Sequence, residues 1–112
     1  MTIEELEERG VTVVVPAGRI DSTTADDLER VVRAQLDRGT ARMVVDMAGV
    51  EYISSAGLRV FLILAKRMKD QHGGLALAAM GDAVHQVFRL SGVLPLFVVT
   101  ANRADALARV SA

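Results

Sequence analysis

Apolar and polar positions at the start of the chain predict a β-hairpin. The run Val11–Val15 is almost entirely β-branched, which favours a strand. Arg9 and Gly10 can form the turn, and Ile3–Glu8 would then supply the partner strand, although its composition also suits a helix. Pro16 predicts an edge position or the end of the second strand.

Beyond the hairpin, short apolar runs alternate with segments of helical spacing. Strands are predicted at Met43–Val45, Leu75–Met80 and Leu96–Val99. A first helix is predicted to begin at Ser22–Thr24 and end at Gly39, and a second to begin at Ala56 and end at Gly73–Gly74. Two shorter helices follow, one between Gly81–Asp82 and Ser91–Gly92 and one from Ala101 to Val110. This order implies an α/β fold with one sheet, mostly parallel after the antiparallel hairpin, right-handed crossovers and about four helices. The 112 residues suit a single domain spanning 1–112.

The central helix has an apolar stripe and a mixed opposite face. The predicted core positions are Leu58, Phe61, Leu62, Ala65 and Met68, and the predicted outward positions are Arg59, Val60, Ile63, Lys66, Arg67 and Asp70. Outward Val60 and Ile63 are either ordinary surface residues or the apolar anchors of a docking patch that also contains arginine.

The composition argues against several classes of function. A net charge of -1 without a basic cluster in the sequence argues against a dedicated nucleic-acid surface. The absence of cysteine excludes disulfides and thiolate metal sites, and two separated histidines give no basis for a metal or cofactor. Because no leader pattern and no apolar run of about 18 residues is present, we expect a cytoplasmic protein that does not enter a membrane.

Two serines stand where a strand passes into the central helix. A serine at this position can cap the helix, and the same unpaired N–H groups and helix dipole favour an anion such as a phosphate. A nucleophilic serine would also suit such a turn, but the Gly-x-Ser-x-Gly pattern is absent around Ser54 and Ser55, and nothing places His72 or His85 beside them. We therefore expect no catalytic triad at this turn.

Three ordered segments resemble the STAS domain family, and in particular the bacterial anti-sigma factor antagonists. They are Gly18–Asp21 with Thr24–Ala25, then Val44–Asp46 with Val50–Arg59, and finally Val87–Gly92. In that family the serine two residues before the Gly-Leu pair is phosphorylated, which here is Ser55. Ser54 stands where the family usually has aspartate and is a rival acceptor.

The resemblance also implies a partner-binding surface around the serine turn. Its expected members are Asp21, Ser22, Thr23, Ser54, Ala56, Gly57, Arg59, Val60, Ile63 and Arg67. From the residues alone, Asp21, Ser22 and Thr23 fit helix capping and turn formation equally well.

The function that the resemblance implies is a phosphorylation-controlled partner switch, in which this chain is a binding protein and not an enzyme. The unphosphorylated chain would bind an anti-sigma factor serine kinase and so release the sigma factor, and a PP2C-type phosphatase would reverse phosphorylation of Ser55. We expect a monomer or weak dimer. The alternatives are a ligand- or nucleotide-sensing STAS module of a larger assembly, or a switch whose output is not a sigma factor.

Overall fold

The computed structural model describes residues 1–111. Its strands are β1 (Thr2–Glu8), β2 (Val11–Ile20), β3 (Arg42–Asp46), β4 (Val50–Ile53), β5 (Gly74–Ala78) and β6 (Val98–Thr100), and its helices are α1 (Ala25–Asp37), α2 (Ser55–Asp70), α3 (Asp82–Leu90) and α4 (Arg103–Ser111). A short 3₁₀ turn covers Leu94–Leu96. The predicted α/β class, with a hairpin, a parallel remainder and four helices, is confirmed.

The hairpin forms because its turn residues accept left-handed backbone angles. Arg9 and Gly10 have φ values of 56° and 76°, as a two-residue type I′ turn requires, and β1 pairs antiparallel with β2 along its whole length. The other pairings are parallel, in the order β1-β2-β3-β5-β6, and β4 pairs with β2 outside this path.

The second strand changes its parallel partner midway. Residues 12–14 pair with β3, whereas Gly18, Arg19 and Ile20 pair with β4 across a register shift at Gly18. The strand therefore continues beyond Pro16, contrary to the prediction that the proline ends it or marks an edge. Pro16 lies opposite Ile3 of β1, at the point where β2 leaves β3. Strand β4 is absent from the sequence prediction because its four residues show no alternating pattern.

The sheet carries helices on both faces. Its larger apolar cluster includes residues of α1, α2 and α3, and its smaller one joins α4 to β2, β3 and β5. Edge-to-face contacts from Phe61 to Phe88 and from Phe88 to Phe97, with centroids 5.7 and 5.5 Å apart, stabilise the larger cluster.

An ion-pair cluster fastens α4 to the sheet. Arg103 contacts Glu8 at 2.7 Å and Asp46 at 2.9 Å, and Asp46 also accepts a hydrogen bond from the Ala48 N–H. Hydrogen bonds to both carboxylates, with Asp46 contributing most, raise the pKa of Arg103 above its ordinary value. The cluster thus joins β1, β3 and α4 at Asp46, whose side chain is only 10% exposed.

The predicted faces of the central helix are partly wrong. Val60 is buried at 2% exposure rather than outward, Leu64 is fully buried, and Leu62 and Ala65 are only half-buried. The helix is apolar at every position from 60 to 65, so spacing alone fits more than one stripe. Packing beside α1, where Arg67 contacts Asp37 at 3.1 Å, contributes to the actual orientation.

The predicted start of the last strand is also wrong. Leu96 belongs to the 3₁₀ turn and is 63% exposed, and the strand begins at Val98. Pro95 explains the difference, because its fixed φ suits the first turn of a helix and it lacks the N–H that a sheet ladder needs.

Candidate functional site

The serine turn and the loop after β2 begin at neighbouring strand ends. Ile20 of β2 is in register with Ile53 of β4, and the Ser54 N–H donates to the Ile20 carbonyl oxygen at 2.8 Å. Because β2 and β4 are parallel, the two chains leave the sheet on the same side. The structure therefore brings Asp21, Ser22 and Thr23 beside the serine turn.

The two serines have different structural positions. Ser54 has extended backbone angles and is the N-cap of α2, where its Oγ accepts from the Gly57 N–H at 3.2 Å. Ser55 is the first helical residue and its side chain is exposed. Ser54 thus satisfies one free helix donor, while Ser55 is accessible to another protein.

Gly57 positions the turn on the sheet. A Cβ at this residue would lie 2.6 Å from Cγ2 of Ile20, 2.9 Å from Cγ1 of Ile53 and 3.0 Å from the Ile20 carbonyl oxygen. The first turn of α2 can approach the two strands only because no side chain intervenes. Gly57, expected at the partner surface, is buried and acts there through packing.

Asp21 is held in its ionised form by the loop that it begins. Its Oδ1 accepts from the Thr23 hydroxyl at 2.7 Å and from the Thr23 N–H at 2.9 Å. These bonds, the hydroxyl first, lower the pKa of Asp21. Thr24 Oγ1 accepts from the Asp21 N–H and donates to the Arg19 carbonyl oxygen, so the loop has a defined shape.

An arginine and a tyrosine beside the serine turn were missed as site residues. The guanidinium carbon of Arg19 lies 4.2 Å from the ring centroid of Tyr52, and Tyr52 is 40% exposed. The two residues are register partners on β2 and β4. Stacked arginine and tyrosine are frequent anchors of protein interfaces. Only the pairing of β2 with the unpredicted strand β4 could have revealed this contact.

The remaining expected residues form a row along α2. Ser55, Arg59, Ile63 and Arg67 recur at every fourth position, which places them on one helix face. Arg59 is exposed, and Ala56, Ile63 and Arg67 are half-buried. The buried Val60 lies off this row and has no surface for a partner. We refer to Asp21, Ser22, Thr23, Ser55, Arg59 and Ile63 as the Ser55 surface.

The described part of the chain gives little support for a catalytic serine, a metal site or a membrane-spanning helix. His72 follows the far end of α2, roughly 25 Å along the helix axis from Ser55, so it cannot act as a base for that hydroxyl. Within residues 1–111, no group of three or more His, Cys, Asp or Glu side chains is placed to hold a metal ion. None of the described helices is long and apolar enough to cross a bilayer.

Comparison with known proteins connects this geometry to one family. A profile of the STAS domain matches residues 2–106. BtrV of Bordetella bronchiseptica, provisionally named an anti-sigma factor antagonist, is 37% identical over 108 residues, covering 96% of this chain and 91% of BtrV.

Solved structures agree with the sequence match. An anti-sigma factor antagonist from Mycobacterium paratuberculosis superposes with a TM-score of 0.92 at 28% identity, covering 99% of this chain and 94% of that one. SpoIIAA of Bacillus, at 17% identity, has the same fold. Its unphosphorylated form gives a TM-score of 0.82 over 97% of this chain and 96% of SpoIIAA, and its phosphorylated form gives 0.76 over 97% and 99%.

Proposed function

Because the chain belongs to the STAS domain family, we propose that it is a cytoplasmic anti-sigma factor antagonist controlled by phosphorylation of Ser55. The unmodified protein binds an anti-sigma factor serine kinase through the Ser55 surface and thereby releases the sigma factor. The kinase phosphorylates Ser55 with ATP, and a PP2C-type phosphatase removes the phosphate. This chain is the substrate of both enzymes and catalyses neither step.

The separation of the two serines is the observation that carries this proposal. Ser54 Oγ is hydrogen-bonded within the helix cap, whereas Ser55 is exposed one residue later. A kinase must reach the hydroxyl that it modifies, and phosphorylation of Ser54 would disrupt a cap worth about 1 kcal/mol. The geometry therefore favours Ser55 as the acceptor over Ser54.

The domain itself tolerates a phosphate at Ser55. A phosphoserine adds about -1.5 to -2 charges, and the N-terminus of α2 has the partial positive charge that favours an anion. Arg59 lies one turn further on the same face, close enough for its guanidinium to face the phosphate. The shared fold of the two SpoIIAA forms is consistent with a modification that leaves the domain folded.

A phosphate at Ser55 would disfavour the binding of a partner, although the domain tolerates it. The phosphate would be placed between the partner and a surface that already contains the ionised Asp21. The partner must neutralise this charge or lose its contacts. A hundredfold loss of affinity requires only about 2.7 kcal/mol, which a single desolvated charge can supply without any change of fold.

Phosphorylation mapping tests the acceptor directly. Wild type, Ser54→Ala and Ser55→Ala are incubated with ATP and an extract of the native host, and intact mass and peptide mapping follow. We expect one added phosphate on wild type and Ser54→Ala, and none on Ser55→Ala. If an extract that phosphorylates other proteins leaves the wild type unmodified, or if the phosphate remains in Ser55→Ala, the proposed switch is wrong.

A further inference from the structure

A groove of about 1030 Å³ lies at the end of the molecule opposite the serine turn. It is formed by the first residues of β3, β5 and β6 and by the last turns of α2 and α4. These strands are parallel to β4, whose carboxyl end leads to Ser54, so their first residues lie at the other end of the sheet. We call this feature the amino-end groove.

The floor of the amino-end groove is apolar and only partly covered. It includes Leu62, Leu75, Leu96 and Phe97. Leu96 is 63% exposed, and the other three are half-buried. Apolar side chains left accessible within a groove indicate a surface that another molecule can cover.

The rim of the groove is positively charged although the chain has a net charge of -1. Arg42, Lys66, Lys69 and Arg109 line it, all exposed, and no acidic residue among residues 1–111 does. Lys66 contacts Asp70 at 3.2 Å, and the other three have no ion-pair partner within the described chain. Residues that are scattered in the sequence thus form a basic site that is not visible as a cluster along the chain.

Favourable interactions with helix C-termini explain only some of the basic residues at the rim. Cations favour the negative ends of helices, which accounts for Lys69 in the last turn of α2 and Arg109 in the last turn of α4. It does not account for Arg42, which begins a strand, or for the exposed apolar floor. The combination indicates binding of a molecule that is both acidic and apolar.

A strained residue lies at the same rim. His72 has a φ of 55° in the position after the cap of α2, where glycine is favoured, and the Gly73 N–H donates to the Met68 carbonyl oxygen across it. A non-glycine residue in this conformation costs about 1 kcal/mol. The chain thus keeps an imidazole at the groove where glycine would be more stable.

We propose that the amino-end groove binds an acidic amphipathic helix of a partner protein. The volume of the groove corresponds to roughly two turns of a helix about 10 Å in diameter. Because the groove is open along one side, it would contact one face of such a helix, with apolar residues on the floor and carboxylates against the rim. Ser55 begins α2 and the groove lies at the last turns of that helix, so the groove is distinct from the serine turn, although Leu62 of its floor adjoins Ile63 of the Ser55 surface.

The experiment uses a designed 18-residue helical peptide with leucines on one face and glutamates on the other. The ¹⁵N-labelled chain is titrated with this peptide and with a scrambled peptide of the same composition, which lacks the amphipathic face. We expect saturable shifts at the amides of Arg42, Lys69 and Leu96 with the helical peptide only. Binding should weaken as salt is raised, since the rim charges are exposed.

Charge reversal locates the site. Arg42→Glu should weaken peptide binding at least tenfold, while Arg38→Glu, which reverses an exposed arginine outside the groove, should change it less than twofold. Ser55→Asp should leave peptide binding unchanged, so the groove can be tested even if the proposed function fails. Equal binding of the scrambled peptide, shifts outside the groove, or equal effects of the two arginine variants would overturn the proposal.

Two other occupants are distinguished in the same series. Vesicles containing phosphatidylglycerol are added in place of the peptide, and unlabelled chain is added in a separate titration. If vesicles bind in an Arg42-dependent manner while the peptide does not, the groove is a membrane surface and the proposal is wrong. If added chain shifts the groove amides and the peptide does not, the groove is a contact between two copies, which also overturns it.

Discussion

The close approach of Gly57 to the sheet predicts that a single methyl group at this position destabilises the protein. In Gly57→Ala the added Cβ would be 2.6 Å from Ile20 Cγ2, 2.9 Å from Ile53 Cγ1 and 3.0 Å from a backbone oxygen. The two side-chain atoms can move slightly, but the carbonyl oxygen is fixed by its hydrogen bond from the Ser54 N–H. The helix must therefore shift away from the strands.

Two opposing effects determine how much the free energy of unfolding changes in Gly57→Ala. Alanine is favoured over glycine within a helix by about 1 kcal/mol. Overpacking a tight contact costs about 1 to 3 kcal/mol, and we expect the upper part of that range, about 2 to 3 kcal/mol, because three contacts are too short at once and one of them is to backbone. We expect a net loss of about 1 to 2 kcal/mol in the free energy of unfolding, with a slower phosphorylation of Ser55 because the turn moves.

Urea denaturation followed by circular dichroism measures the loss. Gly81→Ser is the matched control, since it also adds a side chain at a helix start, but with no atom within 4 Å and with a residue that caps well. Its stability should stay within about 0.5 kcal/mol of wild type. A Gly57→Ala protein that is as stable as wild type, or more stable, would show that helix propensity outweighs packing and would refute the reasoning.

Four further variants or titrations test other parts of the structure. Ser55→Asp should weaken kinase binding about a hundredfold in calorimetric titrations. Its melting temperature should change little, because the helix N-terminus accommodates the charge. Unchanged affinity would exclude a charge-based switch. Ile63→Asp should reduce the kinase affinity of the unphosphorylated protein while Ser55 can still be phosphorylated, and wild-type affinity would place the interface elsewhere. The pKa of Asp21, measured from the NMR shift of its carboxyl carbon, should lie below the ordinary value of 3.8. The contribution of Asp21 to stability is then fully present above pH 3.8 and is lost as the pH falls through the lowered pKa. An ordinary pKa would mean that the hydrogen bonds of Asp21 are absent in solution. Arg103→Ala should lower the free energy of unfolding by about 1 to 3 kcal/mol in urea denaturation, because it leaves the buried carboxylate of Asp46 with only the Ala48 N–H as a donor. A loss below about 0.5 kcal/mol would show that water replaces the guanidinium.

The sequence was sufficient wherever local chemistry determines local structure. Arg9–Gly10 specifies its turn through backbone angles and was predicted correctly, whereas a serine cap was predicted at the start of α2 without a choice between Ser54 and Ser55. The orientation of α2 was not predicted correctly, because every position from 60 to 65 is apolar and only contacts with α1 and the sheet decide which of them are buried.

Features that depend on pairing between distant segments were the ones missed. The Arg19–Tyr52 stack requires the parallel pairing of β2 with β4, and β4 is too short to show a periodic pattern. The basic rim likewise joins Arg42, Lys69 and Arg109, which are separated by at least 27 residues in the sequence. Such clusters become visible only when the strand order is known.

The change of partner along β2 affects how the molecule opens. Only three residue pairs, interrupted at Gly18, join β2 to β4, whereas the hairpin and the β3-β5 pairing are longer and continuous. Strand β4, which leads to Ser54, is joined to the described sheet only by this short and irregular ladder, and its amides should exchange with solvent through local opening well before global unfolding. A bound kinase would slow this exchange, so the rate at Ile53 and Ser54 provides a label-free signal of docking.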